Sequence, residues 1–156
     1  MTEIEMVDQA LQYWKSQGVP AWIEIGCFNN SIDVVLKKDG YIEAVEFKLQ
    51  DWKTAIKQAV HHKIAVDKSY ICLPHYLSTK TLEKSVKMSQ CWGIGVYIWN
   101  NKGVRVELAA PTENNILWRV GKDWLADNLH KKSDLKWVGH EEMKTIKLFG
   151  GGENDS

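Results

Sequence analysis

A chain of 156 residues that is 44% hydrophobic and 26% charged is long enough to bury a core and too apolar to stay unfolded. Twenty basic and twenty acidic side chains leave a formal charge of zero, so any nucleic-acid surface has to come from local clustering. No apolar run approaches the roughly 18 residues of a membrane span, and the acidic opening MTEIEMVDQ is unlike a signal peptide, so a cytoplasmic protein is expected.

In chain order, residues 3–17 read as a helix, with Ile4, Val7, Leu11 and Trp14 as its apolar stripe and Gly18 and Pro20 as its stop. Three strand-like segments follow, 21–27, 31–37 and 41–48. Asn29-Asn30 and Lys38-Asp39-Gly40 supply the turns of two hairpins in series. Asp51 is an N-cap for a second helix over 52–66, whose apolar side is Trp52, Ala55, Ile56, Ala59 and Val60. A buried strand over 69–73 stops at Pro74, a third helix runs from Ser78 or Thr79 to Gln90, and 93–99 is another strand. A turn at 100–103 leads into a strand over 104–109. A short helix is expected over 122–129 with Trp124, Leu125 and Leu129 inward, and Trp118, Trp124 and Trp137 are expected to pin the C-terminal extension. Cys27, Cys72 and Cys91 stand singly among apolar or small neighbours and read as free thiols. The fold class is α/β, with a mixed central sheet flanked by helices.

Polar residues break this pattern in the meander. Alternation puts Val45 and Phe47 on one face of their strand and Glu46 and Lys48 on the other, and it sets Asp33 opposite Ile32 and Val34. A Glu–Lys pair alone is equally a solvated strand pair. With Asp33 on the adjoining strand, two carboxylates supply hard oxygen ligands for Mg²⁺, and a lysine beside them can serve a water or a phosphate.

Asp33, twelve intervening residues, then Glu46-Phe47-Lys48 resembles the signature of the PD-(D/E)xK nuclease superfamily, and the order α-βββ-α-β is similar to its restriction-endonuclease-like core. Ile32 stands where the motif has proline. The resemblance covers residues 3–73 and more loosely 99. The weaker pattern after Pro111 reads as an extension over 111–148 packed on the core, and residues 149–156 as a disordered tail; the resemblance implies a nuclease-like domain over 1–110. It also implies hydrolysis of DNA phosphodiester bonds with Mg²⁺ or Mn²⁺ held by Asp33 and Glu46, and Lys48 serving the water and phosphate. A homodimer is compatible with such an enzyme.

Further candidates surround this triad. Glu24, on the first strand, is a third acid available to a metal; Glu3 and Glu5 read as ordinary first-turn acids. Gln58 lies ten residues after Lys48, where relatives place an assisting glutamine. Their following tyrosine is replaced here by His62. Lys53, Lys57 and His62 belong to a polar stripe expected to meet DNA, although a wet helix face reads the same way. Two further readings stay open: a non-catalytic nucleic-acid-binding or assembly module, and a structural protein in which Glu46 and Lys48 are only an ion pair.

Overall fold

A computed structural model describes residues 1–27 and 30–131. Six strands form one mixed sheet in the order β1 (Ala21–Cys27), β2 (Asn30–Lys38), β3 (Tyr41–Phe47), β4 (Lys68–Pro74), β5 (Gly95–Asn100) and β6 (Gly103–Leu108). The first three are an antiparallel meander. Helices force the parallel steps, α2 (Trp52–His62) between β3 and β4 and α3 (Thr79–Trp92) between β4 and β5. The β5–β6 hairpin closes the far edge, its turn held by Asn100 Oδ1, which accepts from the amides of Lys102 and Gly103.

Helix α1 (Glu3–Ser16) begins on a capping box in which Thr2 and Glu5 satisfy each other's backbone amides. It buries Met6, Ala10, Leu11 and Trp14 against Val34, Leu36, Val45, Phe47 and the aromatic pair Tyr70–Tyr97. The buried stripe is thus rotated from the expected one, and Ile4 is exposed at the mouth of a cleft described below. Gly95 is required where it stands, because a Cβ there would run into the Tyr70 ring.

The opposite face carries the other helices. Ala55, Ile56 and Ala59 of α2 pack with Ile71, Leu73, Val96 and Ile98, and Leu82 and Val86 of α3 lie against that cluster. Ser69 donates to the Ala59 carbonyl and ties α2 to β4. Helix α2 is shorter than expected, ending at His62. Residues 63–67 turn back instead, burying Ala65 and Val66.

The extension docks through α4 (Arg119–Lys131). Leu125 and Leu129, one helical turn apart, enter a cluster with Trp22, Ile25, Ile32 and Val35. Asn114 donates to the carbonyls of Lys63 and Val66, and Lys122 pairs with Asp67 at 2.7 Å. Trp118 and Trp124 are largely exposed; Trp124 is one position, about 100° of helix, away from the buried stripe. The expectations for Trp137 and for residues 149–156 lie outside the described residues. Because Leu125 is fully buried, Leu125→Ala should cost about 2–5 kcal/mol in urea unfolding. A change near zero would show that α4 is not part of the cooperative core.

Candidate active site

The β2–β3 ladder stops at Val34↔Val45, and beyond that pair the strands part. Parting leaves amides without strand partners, and buried amides have to be satisfied. Two side chains do it reciprocally. The Phe47 amide donates to Asp33 Oδ2 at 2.9 Å, and the Asp33 amide donates to Glu46 Oε1 at 3.4 Å. The same geometry brings the two carboxyl groups within hydrogen-bonding range of each other.

Burial decides their protonation. Glu46 is 2% exposed, and desolvation, followed by the negative charge of Asp33, raises its pKa to about 9. Asp33 is also raised by burial, against the Phe47 amide and a hydrogen bond from Glu46, which favour its charged form. Burial and the neighbouring charge therefore favour a proton at Glu46, placed to be donated toward Asp33. The half-buried Lys48 ammonium favours ionisation of both.

Glu46 faces α2, where His62 Nδ1 lies 3.5 Å from its Oε1. Both groups are neutral here, so this is not an ion pair: burial, then the charge of His61, lowers His62 to about 4, against an opposing effect of the Ser31 backbone. Nδ1 itself has no hydrogen-bond partner among the described residues. The expected role of His62 on an exposed DNA-facing stripe fails on burial, since the residue is 3% exposed. It packs behind Glu46 instead.

Asp33 also lines a cleft of about 200 Å³ with Glu3, Glu24, Ile4, Val7 and Ile23. Glu24 reaches it through an unusual backbone. Its φ is +47°, in the left-handed region that non-glycine residues rarely adopt and that often marks a functional constraint. The kink breaks strand alternation. Ile23 and Val34 join the α1 core, whereas Ile25 and Ile32 join the opposite one, so Asp33 does not simply oppose Ile32 and Val34 as expected. Glu3, read from sequence as a first-turn acid, accepts from the Leu49 amide at 3.3 Å, and its charge acts on Asp33. Glu43 is a further buried acid that sequence reasoning passed over. It faces the α1 side and accepts from the Tyr97 hydroxyl at 2.6 Å, a structural satisfaction remote from Glu46.

Lys53 and Lys57 are exposed as expected. Gln58 is exposed and makes no side-chain hydrogen bond among the described residues. Among those residues no group of three or more His, Cys, Asp and Glu side chains is arranged to hold a metal ion. Mg²⁺ needs less than a full cage, because it keeps several waters and takes one or two carboxylates. Asp33 and Glu46 are the two neighbouring buried carboxyl groups that could supply such ligands. No family model and no curated protein sequence matches this chain.

A proton at Glu46 has a measurable consequence. From about pH 4.3, the ordinary glutamate value, up to about 9, the folded chain holds a proton at Glu46 that the unfolded chain releases, so stability falls as pH rises. His62 acts the opposite way between about 4 and 6.5, where the unfolded chain binds the extra proton. Between about pH 7 and 8 the Glu46 effect should dominate, lowering stability by on the order of 1 kcal/mol per pH unit. Glu46→Gln should flatten that slope in urea titrations; an unchanged slope in the variant would exclude Glu46 as its source.

Proposed function

We propose that this chain is a divalent-metal-dependent nuclease of the PD-(D/E)xK type that hydrolyses DNA phosphodiester bonds. The observation that carries the reading is the Asp33–Glu46 pair, held at the parting of β2 and β3, with Lys48 charged beside it. The element order supports it, since an antiparallel β1–β2–β3 meander followed by α2 and a parallel β4 is the arrangement that the Asp33…Glu46-Phe47-Lys48 motif implies. The absence of any helix long and apolar enough to cross a membrane, among the described residues, is compatible with it.

In this reading Asp33 and Glu46 would hold Mg²⁺ or Mn²⁺, which supplies an acidified water and neutralises charge on the phosphate. Asp33 is anchored by the Phe47 amide, which fixes the orientation of its carboxylate. Lys48 holds the scissile phosphate or orients the attacking water. A water would form the new phosphorus–oxygen bond as the bond to the leaving sugar oxygen breaks, with the water's proton passing to solvent and the departing oxygen taking one up from it. Glu24 and Glu3 would act from the cleft, on a second ion or on bound water. Gln58 would assist only after its exposed side chain turned toward the pair. Lys53 and Lys57 would hold phosphates outside the centre.

The test is a cleavage panel of duplex, branched and single-stranded DNA with Mg²⁺ and Mn²⁺. Wild-type protein should cut at least one substrate. Asp33→Ala and Lys48→Ala should each lower the rate by roughly 10²–10³-fold or more, with circular dichroism unchanged. Cleavage retained in pure Asp33→Ala protein would overturn the assignment.

A further inference from the structure

Helices α2 and α3 lie side by side on the outer layer, and the surface between them is grooved. Two adjoining cavities of about 750 and 330 Å³ share Lys53, Met88 and Trp92 and so form one trough. Its floor is apolar, with Trp52, Ile56, Val60 and Met88. Its rim is basic. Lys53 and Lys57 stand one turn apart on α2, and Lys84 and Lys87 stand on one face of α3. No acidic residue lines either cavity, although acids equal bases over the whole chain. None of the four lysines is in an ion pair among the described residues.

One aromatic ring dominates this trough. Trp92 is 54% exposed, yet its backbone is fixed: its carbonyl accepts from Lys63 Nζ at 2.9 Å, and Gly93 ends α3 in the left-handed conformation at φ +70°. A large indole held open at little conformational cost is what a base-stacking platform requires. Lys53, packed over the Trp52 ring at 5.5 Å, pairs a cation with a second aromatic face. Helix α2 begins four residues after Lys48, so that end of the trough is within about 14 Å of the candidate centre along the chain.

We propose that the α2–α3 groove binds single-stranded nucleic acid, with Trp92 stacking on a base and the four lysines holding the backbone. The inference deepens the nuclease reading and rests on it for the destination of the strand. A duplex would use the lysines but hides its base faces from the indole and from the apolar floor. An acidic peptide would also use the lysines, but gives the indole no π-face to stack on. A single strand uses both features together, which is the pattern of charged groove and aromatic platform.

The experiment is fluorescence anisotropy on the full chain, without divalent ions, using labelled oligothymidylate of about twenty nucleotides. A duplex of the same length and polyglutamate serve as comparisons. Oligothymidylate should bind more tightly than either. Trp92→Ala should weaken it by roughly tenfold, and Trp92→Phe should restore most of the loss. The double variant Lys84→Ala/Lys87→Ala should shallow the slope of log affinity against log salt by about 1.4. Unchanged affinity in Trp92→Ala, or tighter binding of the duplex or of polyglutamate, would overturn the proposal. If no DNA is cleaved while the Trp92-dependent binding holds, the nuclease reading falls and the strand-binding groove stands. If cleavage holds while Trp92→Ala binds normally, the groove falls alone.

Discussion

The arrangement turns on two carboxyl groups forced together where a β-ladder opens. Past Val34 and Val45 the backbone of β2 and β3 can no longer pair with itself, and Asp33 and Glu46 take over the orphaned amides. An acid that accepts from a backbone amide is well held. Two of them buried side by side repel, which together with burial favours a proton at Glu46. Other features of the site connect to that pair. The first turn of α1 and the kink at Glu24 put two more acids in the cleft with Asp33, the end of α2 seats His62 behind Glu46, and the chain leaving β3 brings Lys48 alongside.

Such a pair weakens the fold, and the core on both sides of the sheet offsets it. One face is sealed by a single helix and the stacked tyrosines of β4 and β5, the other by α2, α3 and α4. The C-terminal extension contributes through Leu125 and Leu129, so this sealing does not end with the sheet. Packing on both faces holds the buried carboxyl pair in place.

Sequence periodicity conveyed most of the architecture, because the strands are short, strongly apolar and bounded by turn residues such as Asp39-Gly40 and Asn100. Asp33 and Glu46 were legible since each breaks an apolar strand, and Lys48 since it directly follows the second of those strands. What was not legible arises from three-dimensional accidents of backbone and approach. The left-handed φ of Glu24 splits Ile32 from Val34, and no local pattern announces it in a residue that is not glycine. Glu3 looks like any first-turn acid until α1 is laid beside β1. On the helical wheel His62 continues an exposed column, but the last turn of α2 leans onto Glu46, and tertiary packing overrides the wheel. Ile4 failed in the opposite sense, apolar by type yet placed at the cleft mouth.

The proposed nuclease reading requires that Asp33 and Glu46 together bind one hard cation. It is tested most directly by titrating Mn²⁺ into the protein in a calorimeter near pH 7, in two buffers of different ionisation enthalpy. Ion binding must displace the proton held at Glu46. The expected result is release of about one proton per ion bound, lost in Glu46→Gln and in Asp33→Asn. Binding of Mn²⁺ with no proton released, or binding unaffected by both substitutions, would contradict it.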